Sequence, residues 1–321
     1  MEYRIRSKRS DEWVEKYKGA MVNPEMVNLL IQGPTRVLKP NGKPLCVYLP
    51  GAATEVSDQT YPEFSKIRMD TRNRGYASGG GGERFRKTEK SRGTAPPVKS
   101  SVLGSFDKAG PAQYCRLTAY TANQVQAWAS LLPYFQVIAQ LFGEYVPDRY
   151  AAQVAEVQRT NPEWVIEGTP FTTITVNNTY PTGMHTDKGD LDAGFSTLGV
   201  MRKGDYDGGW LTFPQYGVSA DMKHGDVILM DAHEWHGNTP LTCSHCGETL
   251  RKPGHACRAV VDPVPGQSGI EPERVSVVSY FRTGMVECGS LASETEARAR
   301  IKELHAASRL GLDPGDPEMG A

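Results

Sequence analysis

The sequence predicts an α+β chain, a jelly roll or β-sandwich with helices packed on one side. Two patterns carry this reading. Between residues 121 and 160 apolar residues recur at helical spacing. From 170 to 282 the period changes to two, in short β-branched or aromatic runs bounded by Gly, Pro and Asp. A third observation sets the scale: 321 residues, 39% hydrophobic and 23% charged, supply one large core.

The elements follow in chain order. Residues 10–19 read as a short helix, and 20–60 as strands and turns around apolar runs such as LCVYL. Residues 66–99 hold ten Lys/Arg against three Asp/Glu, with the Gly79–Gly82 run and Pro96–Pro97. Such a segment is either a solvated loop or a basic arm that tracks phosphates. Thr121 is placed to N-cap a helix with Gln124 in the capping-box position. Val125, Trp128, Leu132, Phe135, Ala139 and Phe142 form its apolar stripe, and Pro133 should kink it. A second helix runs from Pro147 to about Gln158. FTTITVN, GGWLTFP, GDVILMD and RVSVVSYF then read as strands, and SETEARARIKELHAASRL as a solvated helix. No internal repeat or linker divides the chain. The expectation is one catalytic domain over 1–321: an N-terminal layer 1–120, supporting helices 121–160, a β core 170–290 with a Cys-rich insertion 241–273, and a C-terminal helix and tail 291–321.

Composition narrows the classes. No apolar stretch is long enough to span a membrane. MEYRIRSKRSDEW has no apolar h-region, so it is not read as a secretory signal, and an intracellular setting is expected. The six cysteines are then expected as thiols or metal ligands rather than disulfides. Thirty-six Lys+Arg against 37 Asp+Glu leave bulk charge neutral on nucleic acid.

The chemistry concentrates in PTGMHTDKGD and DVILMDAHEWHGNTP. His185 and Asp187, two apart on extended chain, point to one side and can share an ion. His233 and His236 follow another strand and offer a third ligand. Two imidazoles and one carboxylate on one face of a metal form the triad of non-haem Fe(II) oxygenases, with positions open for co-substrate and oxygen. In RVSVVSYFR, period two puts Arg274, Ser276, Val278, Tyr280 and Arg282 on one face. A guanidinium facing a core needs an anion, and the far carboxylate of 2-oxoglutarate would satisfy Arg274 through a bidentate pair.

On the stretches TVNNTYPTGMHTDKGDLDAGFSTLGVM and GGWLTFPQYGVSADMKHGDVILMDAHEWHGNTPL, the chain resembles the TET/J-binding-protein family. These are Fe(II)- and 2-oxoglutarate-dependent dioxygenases that oxidise the 5-methyl group of pyrimidines in DNA, and the resemblance is strongest to the J-binding-protein thymine hydroxylase domain and to phage members of the group. The resemblance implies a double-stranded β-helix core of the cupin-like jelly-roll kind. It implies iron on His185, Asp187 and His236, preferring His236 over His233 because HGNTPL carries the family pattern. It places 2-oxoglutarate on Arg274, with Ser276 beside it, and an aromatic that stacks on a flipped base at Tyr280. Arg282 and Asp190 become substrate contacts. The implied partners are molecular oxygen and DNA carrying a 5-methylpyrimidine. An acceptor at Asp190 and a donor at Arg282 match a cytosine edge better than a thymine edge, so 5-methylcytosine is favoured.

One departure from the family pattern is the insertion TCSHCGETLRKPGHACRAVVDPVPGQSGIEPE. Cys243-x2-Cys246 followed by Gly247 resembles a zinc knuckle, which His255 and Cys257 could close, with Cys288 as an alternative fourth ligand. Two other classes remain open at this point: a dioxygenase of the same fold acting on a small molecule or protein side chain, and a non-catalytic zinc-stabilised DNA-binding protein.

Overall fold

The computed structural model describes residues 1–69, 100–109, 112–250 and 269–309. Most of the basic segment 66–99 lies outside the described residues, as do His255 and Cys257 of the insertion.

Fifteen strands of the described residues fall into three sheets. The N-terminal part supplies β1 (Glu2–Arg4), β2 (Leu29–Ile31), β3 (Thr35–Leu38), β4 (Pro44–Leu49), β5 (Ser100–Phe106) and β6 (Arg116–Leu117). After the helices come β7 (Thr173–Asn178), β8 (Ser196–Lys203), β9 (Tyr206–Gly208), β10 (Leu211–Phe213), β11 (Val218–Ala220) and β12 (Val227–Met230). The last are β13 (Gly237–Asn238), β14 (Leu241–Cys243) and β15 (Glu273–Tyr280). The large sheet has the order β1-β3-β4-β12-β8-β15-β7-β5-β6, and a smaller one the order β13-β10-β11-β2. β9 and β14 form a two-stranded ribbon. Every contact along β4-β12-β8-β15-β7-β5 is antiparallel, and the chain order jumps between neighbours.

Period two explains why the large sheet packs on both faces. Val47, Leu49, Ile174, Val176, Val227, Leu229, Val275 and Val277 face a helical layer built from α2 (Thr54–Phe64) and α4 (Val125–Tyr145). Phe64, Tyr134, Phe135 and Phe142 fill that interface and are almost fully buried. Each such aromatic contributes on the order of 2 kcal/mol through removal of apolar surface from water. The alternate residues Tyr48, Leu198, Val200, Ile228 and Met230 face the small sheet, against Leu211, Phe213 and Val218. At the β7–β15 end this inner face turns polar: Asn177 opposes Ser276 and Thr175 opposes Val278. The sheet interior therefore has an apolar half and a polar half.

The helices depart from expectation in one place. Thr121 does not open the long helix. Thr118 caps a separate short helix, α3 (Ala119–Asn123), and the buried Thr121 hydroxyl instead accepts from the Gly104 amide at 2.7 Å. The expected Thr121–Gln124 capping box does not form: Thr121 lies inside the short helix, and the long helix starts after Gln124 without a side-chain cap. Pro133 sits inside α4 and removes one backbone bond without ending it. α5 (Pro147–Arg159) starts with Pro at its first position, where no amide is needed. α1 (Asp11–Glu15) carries Val14 into a small cluster with Val22, Met184 and Trp235. α6 (Leu291–Arg309) is solvated except for Glu294, whose carboxylate accepts from the amides of Cys115 and Gly289, both at 2.9 Å.

The cysteine expectation needs correction. Cys115 and Cys288 are joined by a disulfide across 173 residues of sequence. Cys288 is thus not a zinc ligand. No spacing rule could reveal the pair, since it depends on the residue ahead of β6 meeting the end of the 3-10 turn Thr283–Glu287 in space. The disulfide predicts a specific loss. Mass mapping of alkylated protein should find the Cys115 and Cys288 peptides linked, and Cys115→Ser should lower unfolding stability by about 2–4 kcal/mol. Free thiols at both positions in protein purified without reductant would contradict the pairing.

Candidate active site

The metal-ligand candidates meet where two chain segments touch at one residue pair. His185 and His236 form an isolated antiparallel bridge, each amide donating to the other's carbonyl at 2.9 Å. Gly237 makes this approach possible, because a Cβ there would lie 2.9 Å from the Met184 nitrogen and 3.0 Å from the Gly183 carbon. Asn238 completes the clamp. Its side-chain oxygen accepts from the Thr182 amide at 3.0 Å and hydroxyl at 2.9 Å, and its side-chain nitrogen donates to the Gly209 carbonyl at 3.1 Å. The sequence His-Gly-Asn therefore supplies a ligand, a close approach and a tie to the facing segment.

Both imidazoles are buried and oriented. Nδ1 of His185 donates to the Gly183 carbonyl at 2.7 Å, and Nδ1 of His236 to the Glu234 carbonyl at 2.9 Å. Each hydrogen bond selects the tautomer whose Nε2 lone pair is available to a metal. The two Nε2 atoms lie 3.4 and 3.6 Å from the two carboxylate oxygens of Asp187. Ligand atoms of His185, Asp187 and His236 all fall within 4.8 Å of one another, and this is the metal-competent cluster among the described residues. Lys39 anchors the turn ahead of His236: its buried ammonium meets Asp231 at 2.8 Å and Glu234 at 2.9 Å. Burial opposes ionisation of Asp231, yet hydrogen bonds from His233 and Lys39 outweigh it and hold the carboxyl down at about 2. His233 is drawn into that same cluster, with Asp231 at 3.4 Å and Asp192 at 2.9 Å, rather than toward Asp187. Its hydrogen bond to Asp231 raises its pKa.

Arg274 occupies the opposite, polar half of the sheet interior. It is 4% exposed, and among the described residues its Nη2 has no hydrogen-bond partner. Burial pushes its pKa down. Ser276, next on the same face, lies 3.5 Å from the Asn177 side-chain nitrogen. A residue that the sequence reading missed stands beside Arg274: Tyr206, 2% exposed, whose hydroxyl also lacks a partner. Burial raises the Tyr206 pKa while the positive charges of Arg274 and Arg202 oppose that rise. Two unpartnered donors in one buried polar place fit an anion with more than one acceptor oxygen. In sequence Tyr206 sits within the DYDGGW run, which has no spacing relation to Arg274.

The substrate candidates gather at the other end of β15, in a narrow cleft lined by Gln153, Asp190, Ser196, His233, Tyr280 and Phe281. Asp190 is buried and accepts from the Ser196 hydroxyl at 2.8 Å. The Tyr280 hydroxyl is 3.1 Å from Thr175, which fixes the ring. Arg282 bridges Asp190 through the backbone, but its guanidinium turns to Asp107, donating from Nε at 2.6 Å and from Nη2 at 3.3 Å. Asp107, some 175 residues upstream, is a second residue the sequence reading did not single out.

In the insertion, Cys243 is buried and Cys246 exposed. The Gly247 amide donates to the Cys243 carbonyl at 2.9 Å, and Gly247 has φ +72°, a left-handed conformation that glycine tolerates. Cys243 pairs in register with Tyr206, so this turn lies next to the Arg274 pocket.

With this geometry in view, comparison with known proteins is direct. The Tet_JBP model, described as the oxygenase domain of the 2OGFeDO superfamily, matches residues 101–283. Thymine dioxygenase JBP1 of Trypanosoma brucei brucei is 38% identical over 207 residues, which are 64% of this chain and 21% of that protein. The JBP1 thymine dioxygenase of Leishmania tarentolae is 33% identical over 221 residues, 68% of this chain and 23% of its own. The chain thus spans about a fifth of the length of these relatives. Among solved structures, NgTET1 in complex with 5mC DNA superposes with a TM-score of 0.54 at 13% identity, covering 84% of this chain and 86% of that one. At that identity the likeness speaks to the fold, a mixed α+β oxygenase of the jelly-roll class. Because the matched span covers more than half of the chain and includes both halves of the His185–His236 bridge together with Arg274, the chain belongs to the Tet_JBP oxygenase family.

Proposed function

We propose that the chain is an Fe(II)- and 2-oxoglutarate-dependent dioxygenase that hydroxylates the 5-methyl group of a pyrimidine in DNA, 5-methylcytosine in preference to thymine. The observation that carries this reading is the pairing of a preformed two-His, one-carboxylate cluster with a buried guanidinium whose Nη2 has no partner. His185, Asp187 and His236 would hold the iron, and Arg274, Ser276 and Tyr206 the far carboxylate of 2-oxoglutarate. Iron and 2-oxoglutarate bound there would supply O2 reduction, with two electrons from decarboxylation of 2-oxoglutarate to succinate and CO2 and two from the methyl C–H bond, one oxygen atom ending in succinate and the other in the hydroxymethyl group. The chain's own residues bind and orient. Tyr280, its hydroxyl held by Thr175, offers a rigid ring for a flipped base, which must be extruded from the duplex for its methyl to be reached. Asp190 offers a carboxylate acceptor that suits the exocyclic amino group of cytosine and not the carbonyl of thymine. Arg282 contributes through its place beside Asp190, its guanidinium being held by Asp107. The basic segment 66–99 would steady the DNA backbone. DNA and 2-oxoglutarate as reactants put the reaction inside a cell. The names of the JBP1 relatives support a thymine reading as the competitor.

The test is succinate release and hydroxymethyl product on matched duplexes carrying 5-methylcytosine, thymine alone, or neither modified base nor thymine at the target position. Product on the 5-methylcytosine duplex, reduced to background in Asp187→Ala, is expected, because a three-ligand site has no spare ligand. Preference for thymine would overturn the base assignment, and turnover of a free amino acid or peptide instead of DNA would overturn the substrate class.

The co-substrate pocket gives a second expectation. In Mn(II)-loaded protein, Tyr206→Phe should weaken equilibrium binding of 2-oxoglutarate about ten- to a hundredfold, as loss of one hydrogen bond to a charged group implies. Arg274→Lys should weaken it as well, since a point charge replaces a fork. Unchanged affinity in both would place the anchor elsewhere.

The zinc reading belongs here too. Cys243, Cys246, His255 and Cys257 would supply a thiolate-rich ligand set suited to structural zinc, and the Gly247 turn supports the first half of it. Protein purified without added metal should carry about one zinc per chain, lost in the Cys243→Ser, Cys246→Ser variant. Zinc-free protein under non-chelating conditions would contradict this assignment alone.

A further inference from the structure

Resting on the reading above that DNA is the substrate, we propose that a ladder of alternating guanidinium and aromatic groups, running from α6 to the rim of the substrate cleft, is a binding track for the phosphodiester backbone of the strand whose base enters the cleft. The ladder reads Arg298, Tyr114, Arg116, Phe106, Arg282. The guanidinium of Arg298 lies 5.8 Å from the Tyr114 ring centre, and that of Arg116 lies 5.8 Å from Tyr114 and 5.0 Å from Phe106. Arg282 closes the series at 4.4 Å from Phe106. Its last rung pairs with Asp190, so the track ends where the cleft begins.

Charge accounting gives the track its purpose. Three guanidinium groups are brought together near three carboxylates that are already engaged: Arg282 takes both oxygens of Asp107, Asp190 accepts from Ser196, and Glu294 meets Lys108 and the Cys115 and Gly289 amides. Arg116 has only two long bonds, to the carbonyls of Asp107 at 3.4 Å and Tyr114 at 3.5 Å. Among the described residues neither Arg116 nor Arg298 makes an ion pair. Burial lowers the Arg116 pKa, and the like charges of Arg298 and Arg282 add to that direction. Stacking on rings covers the guanidinium faces and leaves N–H edges to meet an anion.

The fold spends several constraints on holding this arrangement. Phe106 and Arg116 are directly paired across β5 and β6. The Cys115–Cys288 disulfide ties the residue between Tyr114 and Arg116 to the turn that follows Arg282. Glu294 fastens α6, and with it Arg298, to the Cys115 amide. Three like-charged groups from three separate chain segments, held in a row by rings between them, point to an extended polyanion. A nucleic-acid backbone supplies phosphates in such a row, and backbone contacts of this kind fix register while the cleft reads the base.

The experiment is binding of a fluorescein-labelled duplex with one 5-methylcytosine to the full chain, loaded with Mn(II) to prevent turnover, across a sodium chloride series. Each phosphate contact contributes about 0.9 to the slope of log K against log salt. Arg298→Gln and Arg116→Gln should each flatten the slope by about one, and the double variant by about two. Arg300→Gln, the same charge change on the same exposed helix but off the ladder, should leave the slope as in wild type. Affinity for 2-oxoglutarate, measured in parallel, reports that each variant is folded. Equal slopes for Arg298→Gln and Arg300→Gln would overturn the ladder. If wild type oxidises methylated DNA and the ladder variants keep its slope, the ladder alone fails. If wild type neither binds nor oxidises DNA, the proposed function fails and takes the ladder with it.

Discussion

One backbone contact, the reciprocal hydrogen bonding of His185 and His236, sets the geometry of everything around the candidate metal site. It joins the segment that leaves the large sheet after β7 to the segment that enters the small sheet at β13. Neither imidazole is positioned by its own strand alone. Each is aimed by a carbonyl two residues back in its chain, and the two carbonyls come into the right relation only when the bridge has formed. Gly237 and Asn238 serve the same end, one by absence of a side chain and the other by clamping Thr182.

The second organising feature is β15, which runs between two different chemical environments. Its apolar residues, Val275 and Val277, lock it against the helical layer, and so fix the direction of the alternate residues. Arg274 and Tyr280 are directed to the inner face by that packing, and the Tyr280 ring is held there by its hydroxyl contact with Thr175 as well. A helix-facing core thus pre-organises a buried cation at one end and an aromatic ring at the other. Burying a guanidinium with an incomplete set of hydrogen bonds costs stability, and an anion that pairs with it offsets that cost.

Much of this was legible in the sequence because it is local or periodic. Period two identified β7, β12 and β15, the 3.6 period identified α4 and α5, and an H-x-D on extended chain with a distal His after a strand pointed to the cluster now seen within 4.8 Å. What was not legible depends on contacts distant in sequence. Tyr206 reaches Arg274 because β9 pairs with β14, and Asp107 reaches Arg282 because β5 lies beside β7. The Cys115–Cys288 disulfide belongs to the same class. Thr121 shows the complementary failure, a local capping pattern that does not cap, its hydroxyl accepting instead from the Gly104 amide of another element. Choosing between His233 and His236 rested on resemblance, and the structure supplies a physical reason: Asp231 and Asp192 occupy His233 while His236 turns its Nε2 to Asp187.

The central claim is that the metal site is preformed by the bridge, and Gly237 is where that claim is most exposed. A methyl group there would sit against backbone atoms of Gly183 and Met184 and force the two ligand segments apart. The direct measurement is Mn(II) affinity of Gly237→Ala against wild type by calorimetry, with circular dichroism to confirm that the sheets remain. The account predicts unchanged secondary structure and metal binding weakened about tenfold or more, the scale associated with disturbed ligand support. Wild-type affinity in Gly237→Ala would contradict it, and would mean that the ligands find their geometry only when the metal arrives.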